Sequence, residues 1–242
     1  MSNLFHVIFY QPILNFVVWL YNVIPGHDLG VTIIVLTVII KLLLLPLSKT
    51  AIKSQKALQD LQPKLDELKK KFADKKEELG RATLELYKQN KINPFSSCLP
   101  LLIQLPFLIA VFRVFRDNFS DTALNYLYPF VTRPEVINNV AFGFFDLSAN
   151  HNIILAVLSG AAQFWQTKML MAKRPEIKAP ESKDEDMAAI MNKQMMYLMP
   201  LMTVWFSYTF PNALALYWFV LTILGVAQQY YILKGKKKEV LK

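Results

Sequence analysis

The chain has 242 residues, 54% hydrophobic and 13% aromatic, with a mean hydropathy of +0.28 and a formal charge of +9. Apolar residues in blocks of this length argue for a bilayer protein rather than one or two soluble domains. The lone Cys98 excludes an internal disulfide and, with His6, His27 and His151 in separate segments, argues against a metal cluster; no cofactor is expected.

Residues 3–24 are apolar and aromatic but lack the basic start and small-residue cleavage site of a secretory signal, and Pro12 interrupts them. Gln11, Asn15 and Asn22 fall at i, i+4 and i+11, one polar stripe on a helix otherwise faced with Phe9, Phe16, Trp19 and Leu20. This pattern suits a helix lying in the outer interface, and a sixth span here is disfavoured. Pro25-Gly26-His27-Asp28 makes the turn into the first of five expected spans.

That span, 29–48, carries Lys41 deep in an apolar stretch. A lysine at the centre of an inserted helix costs roughly 2.5–3.5 kcal/mol, so something must offset it. Thr37, Lys41 and Ser48 fall on one helical line, and no carboxylate lies inside any span to neutralise the charge. An unpaired intramembrane charge is a functional site by default.

Residues 49–97 are charged and patterned. Leu58, Leu61, Leu65, Leu68 and Phe72 alternate spacings of three and four, the seam of a coiled coil, with Pro63 as a kink. Asp74-Lys75-Lys76-Glu77 reads as a capping box opening a second helix, whose Leu79, Thr83 and Leu86 supply the matching face before Asn93-Pro94. The expectation is an antiparallel hairpin that docks a soluble partner through Lys64, Lys69, Lys70, Lys71, Lys75 and Lys76.

The second span, 98–116, carries Gln104; an aromatic loop, 117–151, hugs the outer interface; and the third span, 152–172, places Ser159, Gln163 and Gln166 at i, i+4 and i+7. A polar segment, 173–194, with Pro175, Pro180 and Asp184-Glu185-Asp186 leads through Met187, Met191, Met195, Met196, Met199 and Met202 into the fourth span, 195–210, which carries Thr203 and Ser207. The fifth span, 213–233, carries Thr222, Gln228 and Gln229, and a basic tail, 234–242, follows. Singly, such groups only bond neighbouring helices. Converging on Lys41, they would form a hydrated, positive, inward-open groove.

Orientation follows from the basic residues. Residues 1–30 have none and 117–150 only Arg133, whereas 49–97 hold twelve, 173–194 five and 234–242 five. The expected topology is therefore an outside N-terminus and a cytoplasmic C-terminus.

With these features in place, the chain resembles a bacterial member of the YidC/Oxa/Alb family of membrane protein insertases. The resemblance rests on Phe9-Tyr10-Gln11-Pro12, Lys41-Leu42-Leu43-Leu44-Leu45-Pro46-Leu47, Leu61-Gln62-Pro63, Asn93-Pro94, Cys98-Leu99-Pro100 and Gln104-Leu105-Pro106-Phe107. It continues through Met199-Pro200, Pro211, Leu216-Tyr217-Trp218 and Gln228-Gln229-Tyr230-Tyr231. It implies an all-α, polytopic five-helix bundle with a cytoplasmic helical hairpin and an N-terminal interfacial helix, in the plasma membrane of a bacterium. It also implies a monomeric insertase and chaperone, not an enzyme, whose substrates are nascent membrane proteins. Its further partners would be the ribosome, the signal recognition particle or its receptor, the Sec translocon and membrane lipids. The groove would be Lys41, Thr37, Gln104, Ser159, Gln163, Gln166, Thr203, Ser207 and Gln228. Two departures stand out: family members commonly carry arginine where this chain has Lys41, and Leu221-Thr222 replaces a more polar Ser-Asn. Two other classes compete: a small transporter or channel with Lys41 as its anion site, and a ribosome-docking scaffold whose groove is merely packed. No internal repeat or Gly-broken pair of half-helices supports the transporter.

Overall fold

The computed structural model describes residues 3–72, 75–93, 99–170 and 194–239. Expectations for Asp74, Pro94, Cys98, 173–193 and 240–242, and for the side chains of Lys76 and Met195, lie outside the described residues.

A three-residue helical stretch, Asn3–Phe5, and a π turn, His6–Tyr10, lead into α1, Gln11–Val23, whose Pro12 sits in the first turn, where a missing N–H costs nothing. Its polar stripe does not face solvent. Asn15 is buried: its amide donates to the Tyr126 carbonyl at 3.0 Å and accepts from the Tyr128 N–H at 2.6 Å. Gln11 and Asn22 likewise donate to the carbonyls of Tyr126 and Thr132. The stripe is thus consumed by the loop after α6, whose backbone would otherwise lack partners.

Gly26, at φ +80°, makes the turn into α2, Leu29–Leu43. Asp28 caps α2, accepting from the Val31 N–H at 3.0 Å. Leu29, Ile33, Leu36 and Ile40 form its buried face. The segment 29–48, expected as a span, is not one straight helix. α2 stops at Leu43, and the chain turns by 66° into α3, Leu45–Asp60. Pro46 is the cause, because it lacks an N–H and its ring clashes with the carbonyl four residues back. Ser48 therefore leaves the helical line of Thr37 and Lys41.

A second break follows at Leu61, just before Pro63, and opens α4, Gln62–Lys71. α5, Lys76–Gln89, packs against α4. Leu61 and Leu65 are buried, and Leu79, Thr83 and Leu86 are half-buried. The cap of α5 falls on Lys75 with no side-chain hydrogen bond; Lys75 instead pairs with Glu78 at 2.9 Å.

α6, Leu99–Arg116, packs against α1, α3 and the π turn, burying Ala110, Val111, Val114 and Phe115. The loop after it holds a short helix, Asp121–Leu124, and an antiparallel pair, β1 Val140–Ala141 and β2 Phe145–Asp146, with Val140 opposite Asp146. β1 lies on the start of α2: the Phe142 N–H donates to Asp28 at 2.5 Å, and a Cβ on Gly30 would stand 2.5 Å from that of Ala141.

Asn152 caps α7, Ile153–Leu170, through the Leu155 N–H at 2.9 Å. A π turn, Gln194–Leu198, opens α8, Met199–Thr209, which approaches α7 so closely at Gly160 that a Cβ there would collide with Val204. α9, Asn212–Glu239, contacts α2, α3, α6, α7 and α8, and it runs on past residue 233, where a separate tail was expected. No proline stops it. Among the described residues one helical stretch, Asn212–Lys234, is long and apolar enough to cross a membrane, or two if the bent α2–α3 pair counts as one span. Arg113 and Arg116 in α6, and Gln163, Gln166 and Lys168 in α7, dilute the others.

Candidate functional site

α2 delivers Lys41 from its last turn to the middle of α9, beside Gly225. The Lys41 ammonium lies 3.5 Å from the point where a Cβ on Gly225 would stand, and the Gln166 amide of α7 fills that same point. Only a glycine leaves this room. Three helices therefore meet around one half-buried cation and one amide. Among the described residues Lys41 forms no ion pair and no hydrogen bond, while the chain's ion pairs lie elsewhere, in α3, in α5 and around the loop after α6.

The polar residues expected to join it divide into two groups. Thr37, Thr203 and Thr222 are buried and spend their hydroxyls on carbonyls of their own helices, at 2.6, 3.0 and 2.8 Å. Such back-bonding satisfies the hydroxyl and offers little to a ligand. Gln104 donates to the Tyr217 hydroxyl at 3.1 Å, tying α6 to α9. Ser207 is buried and Gln163 half-buried. The second group has unspent capacity. Ser159 Oγ, Gln228 Nε2 and Gln229 Oε1 are buried polar atoms without a partner among the described residues. Gln228 and Gln229 follow Gly225 by three and four residues, one turn along the same side of α9. Unsatisfied buried polar atoms are uncommon and mark places where water or a ligand is held.

Of the sequence-based set, the structure thus brings Gln166 to Lys41 and leaves Gln228 one turn away. It adds Gly225, which the sequence reading passed over. The signal was present as a glycine within a span, where small residues admit close neighbours. Two concavities, of about 110 and 480 Å³, open beside the loop after α6, and neither includes Lys41. The Lys41 site is a crossing of α2, α7 and α9. Of the docking lysines, Lys64, Lys70, Lys71 and Lys75 are exposed and Lys69 half-buried.

Residues 19–239 match the family described as "60Kd inner membrane protein". The chain belongs to this family, the YidC/Oxa/Alb proteins. A membrane protein insertase YidC of Fusobacterium nucleatum is 34% identical over 227 residues, covering 93% of this chain and 97% of that protein. Another, from Oceanobacillus iheyensis, is 33% identical over 96% of this chain and 85% of its own length. The crystal structure described as an active YidC insertase with the first transmembrane domain resolved superposes with a TM-score of 0.60 at 25% identity, covering 95% of this chain and 47% of that one. In this YidC/Oxa/Alb chain the cation at position 41 is an ammonium. It presents three donors as a point charge, not the planar fork of a guanidinium.

Proposed function

We propose that this protein is a membrane protein insertase of the bacterial inner membrane. Five spans, 29–48, 98–116, 152–172, 195–210 and 213–233, enclose a hydrophilic groove open to the cytoplasm, with the N-terminus outside and the C-terminus inside. The observation that carries the reading is the Lys41 ammonium, unpaired among the described residues, set against Gly225 and Gln166 where α2, α7 and α9 meet. A structural lysine in a bilayer would be held by a carboxylate. A receptive one keeps its charge available for an acidic segment in transit, at an effective attraction of about 4 kcal/mol for a pair 4 Å apart.

Lys41, Ser159, Gln163, Gln166 and Gln228 supply the polar wall of the groove, with Thr37, Gln104, Thr203 and Ser207 packed behind them, and its wetness lowers the desolvation cost of a short hydrophilic tail. The substrate's apolar segment meanwhile passes into lipid along α7 and α9, whose partitioning drives the step. The π turn and α8 together cover 194–209, short for a span, so the bilayer thins locally there. Helices α3 to α5 form the cytoplasmic hairpin, which receives ribosome, signal recognition particle or nascent chain through Lys64, Lys69, Lys70, Lys71, Lys75 and Lys76. The protein works as a monomer, alone or beside the Sec translocon.

The reading is tested by reconstituting the protein into liposomes with a single-span substrate bearing an acidic tail. Protected substrate should accumulate with the wild type and fall at least tenfold with Lys41→Ala. Equal insertion by both would remove Lys41 from the mechanism.

A further inference from the structure

Away from Lys41, a concavity of about 480 Å³ opens between the π turn and the C-terminal end of α6, lined by His6, Tyr10, Arg113, Arg116, Asp117 and Ser120 among others. Its charge balance is +1, two arginines against one carboxylate. Asp117 is fully engaged, accepting from the Tyr10 hydroxyl at 2.9 Å and facing Arg116 at 3.4 Å. Both guanidiniums are propped by rings: Arg113 lies 4.7 Å from the centroid of Phe5, and Arg116 lies 5.6 Å from that of Phe112. The Ser120 and Thr122 hydroxyls, hydrogen-bonded to each other at 3.0 Å, leave one O–H to donate at the rim.

What distinguishes this pocket is the surface leading to it. Leu102, Leu105 and Ile109 are exposed at 58, 38 and 41%, and they run up α6 at helical spacing directly into Arg113 and Arg116. From Leu102 to Arg113 the rise is about 16 Å, close to the half-thickness of a hydrocarbon core of about 30 Å. Leu4, Val7 and Ile8, the chain neighbours of the lining His6, are each at least half exposed. An apolar track one leaflet long that ends in a paired guanidinium clamp has the shape of an acyl chain capped by a phosphate.

We propose that this pocket binds the phosphate of a phospholipid headgroup, with an acyl chain laid along the exposed stripe of α6. The proposal stands apart from the insertase reading, because it concerns different residues and a binding equilibrium. Phosphate is the chemistry shared with free inorganic phosphate, and the apolar track favours the lipid.

The test is native mass spectrometry of the full chain in detergent, titrated with phosphatidylglycerol, with diacylglycerol, and with phosphatidylglycerol in excess inorganic phosphate. Phosphatidylglycerol should bind and diacylglycerol should not. The double substitution Arg113→Gln, Arg116→Gln should raise the Kd about tenfold or more. Should that pair fail to fold, Thr122→Glu, at an exposed position, places a carboxylate at the same rim and should weaken binding with an unchanged melting temperature. Undiminished binding in a folded variant would overturn the proposal. Displacement by millimolar inorganic phosphate, or equal binding of diacylglycerol, would overturn it too, the first in favour of a free-anion site and the second in favour of a greasy surface.

Discussion

Gly225→Ala separates packing from charge placement at the Lys41 crossing. Glycine within a helix is about 0.5–1 kcal/mol worse than alanine, so the added methyl carries an intrinsic gain. Against it, the new Cβ would occupy the place of the Gln166 amide and approach the Lys41 ammonium at 3.5 Å. Overpacking costs about 1–3 kcal/mol, and the low end applies because the displaced atom is the far end of a flexible side chain. The two effects nearly cancel, so the melting temperature should move by only a few degrees. Gly225→Ala leaves the ammonium in ordinary contact, so insertion should stay near the wild-type level. Gly225→Leu reaches the ammonium itself, and displacing it so that a substrate carboxylate is held at about 6 Å rather than 4 Å lowers the attraction from about 4 to about 3 kcal/mol at an effective dielectric of 20, close to tenfold in rate. The assay is liposome insertion of an acidic-tailed substrate, with thermal melting in parallel. Wild-type insertion by a folded Gly225→Leu protein would refute the reasoning.

Other positions make separate predictions. Gly30→Ala forces a Cβ against Ala141 at 2.5 Å and the Phe142 ring at 2.9 Å, so the variant should lose about 1–3 kcal/mol of stability in a denaturant titration. Asp28→Ala removes the acceptor of both the Val31 and the Phe142 N–H groups, and should cost about 1–2 kcal/mol while making the loop after α6 more susceptible to protease; Asp28→Asn should recover part of the loss. Asn15→Leu leaves the Tyr128 N–H without its partner, and hydrogen exchange of that amide should rise sharply. In the same loop the Ser148 hydroxyl, aided by its amide, holds the Asp146 carboxyl below the ordinary carboxylate range. A depressed pKa gives stability that is present above about pH 4 and lost as pH falls through the folded value. The melting difference between wild type and Ser148→Ala should therefore shrink on acidification.

Lys41 stood out in the sequence because a charge in an apolar run has a known cost and no span offers a carboxylate to meet it. Gln166 was legible for a related reason, since helical spacing alone sets it on one face with Ser159 and Gln163. The bend at Leu44 was missed although Pro46 announced it. Apolar composition continues through Leu47, and composition alone cannot tell a straight span from two helices meeting at 66°. The stripe of Gln11, Asn15 and Asn22 was recognised, but its partners are backbone groups more than 100 residues later, which no local pattern names. Thr37, Thr203 and Thr222 carry the right chemistry for a groove, yet their hydroxyls turn back onto their own helices. Gly225 was passed over because its contribution is the absence of a side chain.

The central claim is that Lys41 holds a charge open for a substrate in transit. A photocrosslinker at Gln163, on the same helix as Gln166, reads this directly against a stalled nascent chain with an acidic tail, in proteins carrying Lys41, Lys41→Arg or Lys41→Ala. The account predicts strong adducts with lysine and arginine and at least a tenfold loss with alanine, the loss vanishing when the tail is made neutral. Equal adducts from all three proteins would contradict it.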